Sequence, residues 1–269
     1  MLANRRITFT AAFAAIAALA LAGCGKQEPV TATTAPPPPA AARVLVVGTD
    51  AAYTPFESQN EKGEIVGFDI DVVKAIAGKA GFEVKFVNTP WEGIFNALDQ
   101  GDRDLLVSAI TITGERRQTM DFSKPYFEAR QLIAVRRDAQ VATFDDIKAM
   151  KVGVQNGTTG DEVVGKLQGK SSGNIKRFES TPLALKELEA GGVQAVMADN
   201  GVVEHYLANN PGGGFKTVSD AAFPVEQYGI AVKKGNAELL ARINKGLDDI
   251  KADGSYDKIY AAHFGGAPK

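Results

Sequence analysis

The stretch Gly67–Asn88, "GFDIDVVKAIAGKAGFEVKFVN", decides the fold class. Phe68, Val72, Val73, Ile76, Ala77 and Ala80 recur at helical spacing. Asp69 and Asp71 stand in the first turn, where the helix dipole favours acids. Gly81 closes that helix. "EVKFVN" (83–88) then reads as a strand. The alternation continues in both directions. "RVLVVGTD" (43–50) is a short valine-rich strand ending in a turn, "WEGIFNALDQG" (91–101) a helix, and "DLLVSAI" (104–110) another strand. Alternating strands and helices predict an α/β fold with a parallel-type sheet covered by helices.

A second series follows "QLIAVRR" (131–137). "FDDIKAM" is a short helix, "KVGVQ" a strand, "TGDEVVGKL" a helix, and "NIKRFES" a strand. "TPLALKELEAGG" is a helix with Pro182 in its first turn, and "VQAVMAD" is a strand. "QYGIAVKKG" (227–235) adds one more strand, and two helical stretches, "NAELLARINKGLDDIKADG" and "SYDKIYAAHF", finish the chain. From Arg43 onward there is enough chain for two lobes of about 100 residues each.

The first residues point to export. Arg5 and Arg6 precede an uncharged run, "ITFTAAFAAIAALALAG", which is too short and too alanine-rich for a span of about 20 strongly apolar residues. Residues 1–23 read as a secretory signal peptide. Leu21-Ala22-Gly23-Cys24 resembles a bacterial lipobox, with Cys24, the only cysteine, as the lipidated residue. Residues 24–42, rich in Pro, Ala and Thr, are expected to be a disordered tether. Removing residues 1–23 takes away two arginines and no acid, so the formal charge of −2 becomes −4. A mildly acidic chain of mixed sign gives no reason to expect nucleic acid.

Chemistry narrows further. His205 and His263 are the only histidines and do not lie at metal-ligand spacing. "GKLQGKS" (165–171) has the wrong glycine spacing for a phosphate loop and follows a helix. No metal or cofactor is expected. In open α/β sheets, ligands sit beyond the carboxyl ends of strands. Here those ends are Asp50, Ser108 to Thr111, Gln155 to Thr159, and Asp199. Arg116 stands one turn after "SAI" and can grip a carboxylate in a bidentate way, or it is an ordinary helix residue. The Thr111 hydroxyl and nearby amides can donate to the same group. Arg117 reads as solvated and Thr113 as a helix start. Tyr53, Phe56 and Trp91 fall after strands, outside helical stripes, where each can wall a ligand or plug the core.

Six segments, "VGTDAAYTPFES", "GEIVGFDIDVVKAIA", "SAITITGERRQTMDFSKPY", "VGVQNGTTG", "AVMADN" and "QYGIAVKKG", together resemble the periplasmic amino-acid-binding proteins of ABC importers. The resemblance is to the polar amino-acid group and covers about residues 43–265. It implies a two-lobe periplasmic-binding-protein fold (type II). Lobe 1 would be residues 43–133 plus 229–269 and lobe 2 residues 134–228. "LIAVRR" and "QYGIAVKK" would be the crossover strands.

The resemblance places Arg116 on the ligand's α-carboxylate, with Ala109 and Thr111 at the head group. It gives Thr159 an amide contact to the carboxylate and Asp199 the α-ammonium. Asp50, Tyr53, Asp69, Trp91 and Ser108 would surround the side chain. Gln155 and Ala198 replace the lysine and histidine of the glutamine binder. Together with Asp50 and Asp69, this favours a basic ligand: arginine first, then lysine, ornithine or histidine, with glutamine as the alternative. The implied partners are a free L-amino acid and the importer's membrane subunits, with the protein a periplasmic, lipid-anchored monomer and not an enzyme. A cyclohexadienyl-dehydratase-like enzyme and a sensor-only protein are the rival classes.

Overall fold

A computed structural model of the chain describes residues 43–266. The expected signal peptide, Cys24 and the tether lie outside the described residues. The chain opens with β1 (Leu45–Thr49), β2 (Ala52–Tyr53), β3 (Glu57–Gln59), β4 (Ile65–Val66) and α1 (Phe68–Ala80). There follow β5 (Val84–Asn88), α2 (Trp91–Gln100), β6 (Leu105–Leu106), α3 (Arg116–Thr119) and β7 (Met120–Phe122). Then come β8 (Phe127–Ala129), β9 (Gln131–Arg136), β10 (Val152–Gln155), α4 (Thr159–Gln168) and β11 (Ile175–Phe178). The second half continues with α5 (Thr181–Ala190), β12 (Ala195–Asp199), α6 (Asn200–Asn209) and β13 (Phe215–Val218). It ends with β14 (Glu226–Tyr228), β15 (Ala231–Lys233), α7 (Ala237–Ala252) and α8 (Ser255–Phe264).

Two five-stranded sheets organise these elements, in the orders β5-β1-β6-β15-β7 and β11-β10-β12-β9-β13. In the first, β1 runs parallel to β5 and β6, while β15 is antiparallel to β6 and β7. In the second, β10 runs parallel to β11 and β12, and β9 lies antiparallel between β12 and β13. Each sheet is therefore mixed: the late strand β15 runs against the first sheet, and β9, the earliest strand of the second, runs against its neighbours.

The apolar face of α1 explains the lobe 1 core. Val72, Val73, Ile76 and Ala77 are buried with Val47, Leu105 and Val232 of the sheet and Ile243, Leu247 and Ile250 of α7. Burial of each such side chain is worth about 1.5–3 kcal/mol. Helices α1 and α7 meet closely at Gly246, where a Cβ would stand 2.8 Å from the Ile76 carbonyl oxygen. In lobe 2, Ile133, Val135, Val152, Val154 and Met197 form one core with Val164 of α4. Val196, Ala184, Leu185 and Leu188 form another on the opposite face of that sheet.

Two expectations change. "LIAVRR" is not a crossover: β9 is a central strand of the second sheet, because it pairs with β12 on one side and β13 on the other. The chain crosses between sheets earlier, through β8, which pairs antiparallel with β14 on the return crossing. The strand expected over 104–110 pairs only at Leu105–Leu106, because the chain bends at Ala109, whose φ is 45°.

Candidate functional site

A cleft lies between the lobes. Its walls are the carboxyl ends of apolar strands. From lobe 1 it takes Asp50 after β1, Tyr53 on β2, Ser108, Ala109 and Thr111 after β6, Trp91 opening α2, and Arg116 opening α3. From lobe 2 it takes Gln155 ending β10, Thr158 and Thr159 at the start of α4, and Asp199 ending β12. Thr158 was not singled out from sequence. It is the N-cap of α4, its hydroxyl accepting from the Asp161 backbone N–H. The exposed amides of that helix start carry partial positive charge into the cleft.

Arg116 is held by the turn before it. The Thr113 hydroxyl accepts from the Arg116 backbone N–H at 3.1 Å. The guanidinium stands 5.2 Å from the centres of the Trp91 ring and of the Phe95 ring, so aromatic faces fix its plane. Among the described residues it donates to two carbonyl oxygens, Thr111 at 2.9 Å and Gly157 of lobe 2 at 3.4 Å. Burial lowers its pKa from the ordinary arginine value, opposed by the more distant Glu162, Asp199 and Glu226. Among the described residues no carboxylate is bonded to this partly buried cation.

Asp199 is a buried anion held by neutral donors. The Tyr53 hydroxyl of lobe 1 donates to its Oδ2 at 3.0 Å, and the Tyr228 hydroxyl donates to the same oxygen. Gln131 Nε2 donates to its Oδ1. Burial, and next the nearby Glu226, push its carboxyl up to about 6 against those donors. Asp50 is also raised by burial, opposed by the Gln155 side chain and the Trp91 backbone. Gln155 Nε2 donates to Asp50 Oδ2 at 3.3 Å across the cleft, and Gln155 Oε1 accepts from the Thr181 hydroxyl. Farther out, Asn156 donates to Glu92 at 2.9 Å, again between lobes.

Asp69 departs from expectation. It is fully buried and lies behind the cleft wall rather than on it. Nor does it cap its helix: its Oδ2 accepts from the Ala109 backbone N–H and the Tyr126 hydroxyl, each at 2.7 Å. The bond fixes Ala109 in a left-handed conformation that costs a non-glycine residue about 1–2 kcal/mol. Ser108 also faces inward, its hydroxyl donating to the buried Glu57 at 3.0 Å and accepting from the Asp50 backbone N–H. Burial, and next the adjacent Asp69, drive the Glu57 carboxyl well above the usual range. Phe56 is core, packed against Phe68, Phe127 and Tyr228.

Sequence reasoning missed Glu226, Gln131, Tyr228 and Glu57. Thr111 and Thr159 each donate their hydroxyl proton to Glu226 Oε2 at 2.8 Å. The expectation that the Thr111 hydroxyl donates to a ligand carboxylate is therefore corrected, because its one proton is already committed. The available signal was the spacing of Glu226 and Tyr228 two residues apart in a strand, which puts the acid and the tyrosine on one face of β14, both buried. Among the described residues no His/Cys/Asp/Glu group is arranged to hold a metal ion, and no helix is long and apolar enough to cross a membrane.

The chain is similar to proteins with known roles. It is 44% identical over 94% of each chain to the probable histidine-binding protein of Neisseria gonorrhoeae. It is 34% identical to the ABC transporter arginine-binding protein 1 of Escherichia coli, over 81% of this chain and 89% of that one. The solved arginine-, lysine-, histidine-binding protein of Geobacillus stearothermophilus superposes with a TM-score of 0.81 at 42% identity. That likeness covers 84% of this chain and 97% of the other. The pattern of one family matches residues 45–266, essentially all of the described chain. The protein belongs to the bacterial extracellular solute-binding proteins, family 3.

Proposed function

We propose that the protein is an extracytoplasmic receptor that binds a basic L-amino acid, arginine first, and delivers it to an ABC importer. The observation that carries this is the opposition of Arg116 from lobe 1 and Asp199 from lobe 2 across one cleft. A zwitterion taken out of water needs an opposite charge, hydrogen-bonded, at each end. Arg116 and the start of α4 suit the α-carboxylate; Asp199 suits the α-ammonium. One ligand meets both only when the lobes are closed, so binding energy drives closure through the crossing strands.

Charge supports the basic side chain. Three carboxylates, Asp50, Asp199 and the adjoining Glu226, stand around the cleft against one guanidinium. A neutral amino acid leaves that excess of negative charge in place, whereas a basic one offsets part of it. Asp50 lies beside Trp91 and Gln155, where a guanidinium can stack and pair. The relatives described as binding arginine, lysine or histidine agree in class. A thermal-shift screen of the free amino acids tests the reading. Arginine, lysine, ornithine and histidine should raise the melting temperature, and a shift with glutamine alone would refute the basic assignment.

The lipobox-like residues ending at Cys24 support anchoring to a membrane by lipid. Radiolabelled palmitate should enter the wild type and not Cys24→Ser; labelling of neither would remove the anchor.

A further inference from the structure

Glu226 belongs to neither sheet. It sits on β14, the return crossing between the lobes, and its carboxylate reaches into both of them. One oxygen, Oε2, accepts the Thr111 hydroxyl of lobe 1 and the Thr159 hydroxyl of lobe 2, each at 2.8 Å. The other, Oε1, accepts from Gln131 Nε2 at 3.2 Å, and Gln131 also binds Asp199.

A hydroxyl has one proton and two acceptor lone pairs. Thr111 spends its proton on Glu226, so toward the cleft it can only accept. Thr159 likewise donates to Glu226, and its oxygen lies 3.1 Å from Gln131 Nε2, whose two hydrogens are shared among Thr159, Asp199 and Glu226. Among the described residues nothing donates to the Thr111 oxygen, so both of its acceptor lone pairs are open to the cleft, whereas Thr159 has one engaged by Gln131. An ammonium is all donor, and a carboxylate is all acceptor. We infer that Glu226 is a positioning residue that orients the Thr111 hydroxyl as an acceptor for the ligand's α-ammonium, making the cleft select amino acids over acids that lack the amine. This rests on the amino-acid reading above and deepens it.

The test is calorimetric titration with L-arginine and with its des-amino analogue, 5-guanidinopentanoic acid. In Glu226→Gln the carbonyl that keeps the Gln131 Nε2 bond lies on the Oε1 side, which presents the amide to both threonine hydroxyls where they now share Oε2, so both must turn round. Affinity for L-arginine should fall by about tenfold or more, the scale of a lost bond to a charged group. Affinity for the analogue should hold within about threefold, so discrimination between the two shrinks. An equal loss for both ligands, as from a merely structural defect, overturns the inference, and so does no loss for either. Thr111→Val should erode the same discrimination without touching Glu226, and Thr111→Ser should keep it; intact discrimination in Thr111→Val also overturns the inference. Wild-type protein that binds neither ligand would instead bring down the amino-acid reading, and this inference with it.

Discussion

Asp199 shows what a single residue can contribute to function against stability. Its carboxyl is raised from 3.8 to about 6 by burial and by Glu226. The stabilisation from keeping it protonated is present below its unfolded value and is lost as pH rises through about 6. At neutral pH the ligand-free protein thus holds an uncompensated anion, and a ligand ammonium offsets it. Below pH 6 the carboxyl must first lose a proton. Affinity for a basic amino acid should therefore be about tenfold weaker at pH 5 than at pH 7.5, with a smaller ligand-induced rise in melting temperature. Calorimetry at the two pH values checks this; equal affinities would remove Asp199 from the ammonium site. Residue identity was legible here because a polar residue after an apolar strand stands at a known place in such sheets. The roles of Ser108 and Asp69 were not. Their neighbours Glu57, Ala109 and Tyr126 come from three separate segments, and no local spacing announces that meeting.

At the scale of elements, helix α6 and the turn between β2 and β3 meet where the lobes adjoin. A Cβ at Gly201 would stand 2.8 and 2.9 Å from the Phe56 ring. That ring is locked among Phe68, Phe127, Tyr228 and Phe264 and has little room to yield. Gly201→Ala should push α6 from Phe56 and disfavour closure. The expected result is weaker ligand binding and, by small-angle scattering, a larger radius of gyration with ligand than the wild type shows. Unchanged affinity and radius would mean that the contact plays no part in closure. Helix and strand boundaries were largely readable from periodicity, as in α1 and its closing Gly81. The role of β9 was not, because the buried run Gln131–Val135 looks alike whether it crosses between lobes or lies inside a sheet. Only its pairing with β12 and β13 decides.

For the whole molecule, the account is a clamp. Lobe 1 supplies a guanidinium fixed between two aromatic rings, lobe 2 supplies a buried carboxylate and a helix start, and the crossing strand β14 and the first residue of β9 send polar groups to the junction. The two-series layout foretold two lobes, but the polar network joining them was hidden, because Gln131 and Glu226 are far apart in sequence and singly unremarkable. The most direct measurement is a calorimetric titration of ligand-stripped protein with L-arginine and with agmatine, which keeps the guanidinium and lacks the α-carboxylate. The clamp predicts binding of L-arginine, little or none of agmatine, and a loss of about 2–5 kcal/mol for L-arginine in Arg116→Ala. Agmatine binding as tightly as L-arginine, or Arg116→Ala binding L-arginine as the wild type does, would contradict it.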